Sequence, residues 1–238
     1  MVLLSCGCLI LLFSRLYGLA GLYVYLAVAT FCGNLQVLKA TKFSFFPEPV
    51  ALGTIVFSST YLCTNIITEH YGAISARRGV WLSFIAMLMV TVLMTLTLGW
   101  PPAASGTQDV AGRFQTVHNA LQILFTPAPA IMFASLSAYI ISQYNDIGIY
   151  RLLKYLTNGQ QLWLRSSGSM AISALVDNTI FSVLAWVVFA TKPLDWHTLV
   201  FTYILGTFLL RLALAALNTP FVYLSYAFKH KEQYYAPV

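Results

Sequence analysis

Seven apolar runs occupy most of this chain, and their length limits what it can fold into. A short run, roughly Val2–Ser14, precedes six longer ones at roughly Leu19–Leu38, Val50–Glu69, Gly79–Leu98, Leu121–Asp146, Ser169–Ala190 and Thr198–Ala227. About 20 residues of helix, rising about 1.5 Å each, cross a hydrocarbon core about 30 Å thick. Only helices and closed barrels satisfy every backbone donor and acceptor in lipid. Barrel strands would read as short alternating segments, whereas these runs are continuous. The chain is 59% hydrophobic and 8% charged, against about 25% charged in soluble domains. The expected fold is all-α: a polytopic membrane helix bundle with six core transmembrane helices plus a short extra N-terminal helix.

The runs divide the chain into a hydrophobic helix over 1–18, a six-helix transmembrane domain over 19–227 and a cytoplasmic tail over 228–238. No Lys or Arg precedes the first run and no clear small-residue cleavage site follows it, so it reads as an uncleaved helix rather than a signal peptide. Counting basic residues on alternate sides gives eight on one (Arg15, Arg77, Arg78, Arg151, Lys154, Arg165, Lys229, Lys231) and four on the other (Lys39, Lys42, Arg113, Lys192). The richer side is expected to be cytoplasmic, with the C-terminus inside and the protein in the inner, cytoplasmic membrane. The net charge of +6 is then a topology signal. No Arg/Lys stripe suggests nucleic acid as a partner; the lipid bilayer is one.

Asp177 and Arg211 each sit near the middle of an apolar run. A charge at the bilayer centre costs about 2.5–3.5 kcal/mol on insertion scales, so each needs a partner, a wet cavity or a ligand. Asp177 lies about 12–14 Å from one helix end and Arg211 about 20 Å from the opposite one. Their depths are similar, and the two could pair. Other polar residues recur at i, i+3/i+4 on one face: Ser58, Tyr61, Asn65 and Glu69; Ser135, Tyr139, Gln143 and Asp146; Ser169, Ser173 and Asp177; Tyr203, Thr207, Arg211 and Asn218. Asn34 and Gln36 add to the first long run, and the third has no such stripe. These faces should point into the bundle. Ser135, Ser169 and Ser173 also suit plain interhelical hydrogen bonding. Glu69 could be interfacial, and Asp146 could pair with Arg151 at the surface. Ser142-x3-Asp146 echoes Ser173-x3-Asp177, too briefly to define a repeat.

Cys6, Cys8, Cys32 and Cys63 fall inside apolar runs without paired spacing and read as small buried residues. His70, His118, His197 and His230 stand apart, so no metal or other cofactor is expected. There is no GxSxG, HExxH or Gly-rich phosphate loop, and SQYND and LVDNT do not fit an intramembrane aspartyl protease. The chain reads as a transporter, not an enzyme.

Several blocks carry a family likeness: NLQVLK (Asn34–Lys39), TYLCTNIITEHYGAISARR (Thr60–Arg78), AYIISQYND (Ala138–Asp146), LWLRSSGS (Leu162–Ser169), LVDNTIF (Leu175–Phe181) and RLALAALNTPFVYL (Arg211–Leu224). In this order they resemble the queuosine-precursor transporters, also called the vitamin uptake transporter family, over roughly Leu19–Leu224. Asn65 and Asn218 depart from the family pattern, where aspartate is common. The resemblance implies a bundle similar to the substrate-binding subunits of energy-coupling-factor vitamin transporters. It also implies import of a 7-deazaguanine (queuine, preQ0 or preQ1) for salvage into tRNA queuosine. A small-molecule nucleobase is thus the expected substrate, and the residues suit it. Asp177 or Asp146 can accept from adjacent N–H donors of a guanine-like edge. Asn34, Asn65 or Gln143 can donate to the ring carbonyl. Arg211 and Asn218 complete the candidate substrate-binding set, and the aromatics supply stacking faces. The alternatives are the substrate-binding subunit of an energy-coupling-factor vitamin importer, docking an energising module on the small-residue patch Ala29-x3-Gly33, and a membrane enzyme or non-transport scaffold using the Asp–Arg pair for assembly. The expected protein partner is such a module or a second copy in a homo-oligomer.

Overall fold

The computed structural model describes residues 1–37, 39–41, 50–103, 112–125, 129–190 and 194–228. Lys42, Lys192, Lys229 and Lys231 of the charge count, His230, and the tail beyond Phe228 lie outside the described residues. The described chain is almost wholly helical: α1 (Val2–Gln36), α2 (Gly53–Leu98), α3 (Arg113–Phe125), α4 (Pro129–Leu156), α5 (Leu162–Val188) and α6 (Trp196–Ser225). A two-residue antiparallel ladder, β1 (Ala40–Thr41) with β2 (Val50–Ala51), joins α1 to α2, pairing Ala40 with Ala51. Among the described residues, four helices, α1, α2, α5 and α6, are long and apolar enough to cross a membrane.

At 35 and 46 residues, α1 and α2 exceed one crossing, and each is broken by a glycine. Gly18 (φ 58°, ψ −134°) and Gly72 (φ 84°, ψ 163°) adopt backbone angles that side chains exclude. The chain turns back at both. Gly21 backs onto the Phe13 carbonyl, folding the start of α1 against its second half. Cys63 donates to the Leu22 carbonyl at 3.5 Å, and Gly53 packs onto the Gly33 carbonyl. The second half of α1 and the first half of α2 are therefore antiparallel. After Gly72 the direction reverses: the Tyr23 hydroxyl reaches the Ser75 carbonyl at 2.9 Å, and Gly79 packs on Tyr23 and Leu26.

The core where these segments meet holds Leu22, Leu26, Leu62, Cys63, Ile66, Ile67, Ala76, Val80 and Ile147. The opposite face of α2 exposes Leu82, Ile85, Met89, Val92, Leu93 and Leu96, the apolar surface a bilayer would cover. Ala29 and Gly33 are buried within the chain's own bundle, Gly33 against Phe57. Of the four cysteines, all free, Cys63 is buried but Cys8 is exposed.

Two expectations about α4 need correction. The run drawn as Leu121–Asp146 divides between α3 and α4, and α4 continues through Arg151 to Leu156. Asp146 is therefore mid-helix and fully buried, not a surface partner of Arg151. The turn that follows uses left-handed backbone at Asn158, Gly159 and Gln161. Arg165 staples it, donating to the Gly159 and Gln160 carbonyls at 2.7 and 2.8 Å.

Candidate functional site

A cavity of about 620 Å³ lies between α1, α2, α4, α5 and α6, with the end of α3 at its wall. Its walls are largely apolar and aromatic: Phe31, Phe57, Phe125, Phe181, Trp186 and Tyr203. Asp177 and Arg211 also line it, and they are the charged members among the described lining residues. They touch: Arg211 Nη1 donates to Asp177 Oδ2, with the two side chains 15% and 16% exposed. The other carboxylate oxygen accepts from Ser142 Oγ at 3.2 Å, and Ser142 in turn accepts from the Tyr61 hydroxyl at 2.8 Å. A carboxylate has about four lone-pair sites, so Asp177 keeps acceptor capacity toward the cavity.

Backbone irregularity shapes the same wall. Leu184–Val188 of α5 and Leu199–Gly206 of α6 are π-helical, a form that gathers at functional sites. Trp186 and Tyr203, from these stretches, lie 5.6 Å apart between ring centroids. Asn178 secures the α6 stretch, donating to the Ile204 carbonyl at 3.2 Å and Thr207 Oγ1 at 2.8 Å.

The seven candidate residues separate into two groups. Asn34, Asp177 and Arg211 line the cavity; Asn34 accepts from Ser135 Oγ at 3.0 Å. Asn65, Gln143, Asp146 and Asn218 do not line it. All four are fully buried nearer the other end of the bundle. Gln143 donates to Thr60 Oγ1 at 2.7 Å and accepts from Thr64 at 3.1 Å. Asn218 donates to the Ser58 carbonyl and hydroxyl at 3.1 and 2.9 Å. Asn65 reaches Ser169 Oγ at 3.5 Å. Sharing a helical stripe put these residues on inward faces, but an inward face runs past the cavity floor into packed interior.

Residues 51–225 match the family model described as "Putative vitamin uptake transporter". The chain belongs to the vitamin uptake transporter family. A "Probable queuosine precursor transporter" from Bacillus subtilis (strain 168) is 32% identical over 216 residues, spanning 90% of this chain and 87% of that protein. No solved structure matches.

In a transporter, the end of the bundle away from the cavity matters as much as the cavity. There Glu69, a residue that sequence reasoning could equally place at an interface, is 6% exposed. It accepts from Arg165 at 2.9 Å, Lys154 at 3.2 Å, Tyr150 at 2.9 Å and the Tyr226 hydroxyl. Beside it His70 meets Ser225 at 2.8 Å. These contacts join α2, α4, α5 and the turn after α6 around one carboxylate. Ser83 on the second half of α2 belongs to no polar stripe, yet it bonds Tyr139 at 2.6 Å; a lone serine in an apolar run is its only sequence signal. Asn178 was missed because it points about 100° around the helix from Asp177. The Ser142/Ser173 echo becomes a cross-pairing: Ser142 bonds Asp177, and Asn145 bonds Ser173 at 3.1 Å.

Proposed function

We propose that this transporter imports a 7-deazaguanine base, binding it in the aromatic cavity with its hydrogen-bonding edge against Asp177 and Arg211. The observation that carries this reading is the ion pair on the wall of an otherwise apolar, aromatic cavity of about 620 Å³. That volume lies within the range of about 300–1,000 Å³ usual for small-molecule sites. A carboxylate accepts from the adjacent ring N–H and exocyclic amine of a guanine-like edge, a guanidinium donates to the ring carbonyl, and the rings stack. The carboxylate-read edge is common to guanine and its 7-deaza analogues. Discrimination then comes from the apolar wall, where N7 of guanine would lose its hydrogen bond while a ring carbon loses nothing. The pair is net neutral, which favours the uncharged, nitrile-bearing preQ0 over the cationic aminomethyl of preQ1.

In this reading six helical segments after Gly18 cross the membrane, with the Glu69 cluster at the cytoplasmic end and the cavity opening outward. The base taken up would feed tRNA queuosine salvage. The test is uptake into vesicles containing only this protein, comparing preQ0, preQ1, queuine and guanine. Saturable accumulation is expected, highest for preQ0 and lowest for guanine. Vesicles that accumulate none of the 7-deazaguanines above the protein-free level would sink the proposal.

A further inference from the structure

Beyond the cavity, toward Glu69, lies a carboxylate with no assigned job. Asp146 is fully buried, and neither of its oxygens has a hydrogen-bond partner among the described residues. The Ser169 hydroxyl interacts with it, but that hydroxyl donates to the Ser166 carbonyl at 3.3 Å, and Asn65 of α2 reaches the same hydroxyl at 3.5 Å. Asn65 and Asn218 spend their amide nitrogens on Ser169 and on Ser58, which leaves both side-chain oxygens buried and unpartnered. Ser166, one turn from Ser169 on the same face of α5, also has an unpartnered buried hydroxyl. Through Ser169, α2, α4 and α5 thus bring together the oxygens of Asn65 and Asp146, and Asn218 of α6 packs on the neighbouring Met170 at 3.8 Å.

The nearby cations are committed elsewhere. Arg211 is held by Asp177, and Arg165 by Glu69 and two carbonyls. An isolated buried carboxylate is costly unless it is neutralised. A proton would neutralise Asp146 but satisfy only one acceptor. A metal cation takes several oxygens at once. One carboxylate balances one positive charge, and no group of three or more His, Cys, Asp or Glu residues stands together among the described residues, which argues against a divalent or transition metal.

We propose that Asp146, Asn65 and Ser169, with Asn218 and Ser166 at the margin, form a binding site for a monovalent alkali cation, distinct from the base-binding cavity. Its place between the cavity and the Glu69 cluster suits a coupling ion whose occupancy is sensed by α2, α4, α5 and α6 together. This proposal does not depend on which base the cavity takes.

The test is thermal unfolding of the full chain in detergent, without any base, titrated with NaCl, LiCl or KCl against N-methylglucamine chloride at constant ionic strength. A saturable rise in Tm of about 3–5 °C is expected for at least one alkali cation, from mass-action stabilisation of the folded state. Asp146→Asn should remove it, Asn65→Ala should raise the half-saturating concentration about tenfold, and Asp177→Asn should leave it in place. The proposal is overturned if all the salts act alike, if Asp146→Asn keeps the wild-type response, or if the response follows pH and not the cation, which would make the occupant a proton. Should Asp146→Asn not fold, the Asn65→Ala titration decides alone. Failure here leaves the base-uptake experiment unaffected, so the two readings fall separately.

Discussion

Near the Gly72 turn, Glu69 gathers four donors from three other parts of the chain and is 6% exposed. At the cavity, Asp177 has two, Arg211 and Ser142, and is 16% exposed. The two carboxylates are the acidic halves of the ion pairs among the described residues, yet they are finished differently. Glu69 is saturated, and its cluster holds helices together. Asp177 is left with acceptor capacity beside open volume, and its neighbours are rings and π-helical backbone. A saturated charge serves architecture; an unsaturated one beside a cavity keeps capacity for the base proposed to bind there.

The sharpest way to break this comparison is at the cavity. Asp177→Asn keeps the shape but removes the charge, so base uptake should fall about 100-fold, the loss of one charge-assisted contact and of the restraint on Arg211. Folded protein should persist, as read by gel filtration. Normal uptake by this variant would mean that the pair is structural and the comparison false. At the other end, Glu69→Gln leaves Arg165 without its counter-charge in a buried setting. Breaking such a pair costs about 3–5 kcal/mol, and the amide recovers part of that. Denaturant midpoints should therefore fall clearly, with base affinity of the remaining folded protein little changed.

Gly53→Val sharpens the contrast in a region held by close packing. A side chain there would overlap the Gly33 carbonyl and Val37, and overpacking of this kind costs about 1–3 kcal/mol. The effect should be on stability, with no change in cation response. Trp186→Ala should raise the KM for uptake about five- to thirtyfold through loss of a stacking surface worth about 1–2 kcal/mol, and leave Tm within a few degrees. The smallest effect belongs to Asp195, which accepts from the Thr198 amide at 2.9 Å as the cap of α6. That hydrogen bond holds its carboxyl below the ordinary value of 3.8. The cap therefore contributes at pH above about 4 and is lost as pH falls through the lowered value. Asp195→Ala should lower Tm slightly at neutral pH, leave it nearly unchanged below the lowered value, and so abolish this acid-limb dependence.

Much of this was readable from residue order. Run length announced the membrane, and rise per residue put Asp177 and Arg211 at one depth, where they meet. What escaped was lateral position. Asn65, Gln143, Asp146 and Asn218 share stripes with cavity-facing residues, but periodicity gives a face and not what the face meets. Glu69 looked like a helix-end acid because its partners come from residues 81 to 157 positions away. The turns at Gly18 and Gly72 fall in the gaps between runs, so the breaks were legible in the sequence; the backbone angles that let near-continuous helix fold back there were not.

The sequence by itself determined that the chain is an α-helical membrane protein of a transporter family and that two charges lie deep within it. Those properties follow from local composition, period and ordered motifs. Only the tertiary structure decided which carboxylate faces open volume, which is tied up and which is buried without a partner. Each of those facts depends on side chains from distant helices converging, and a linear pattern does not encode the distance between helices.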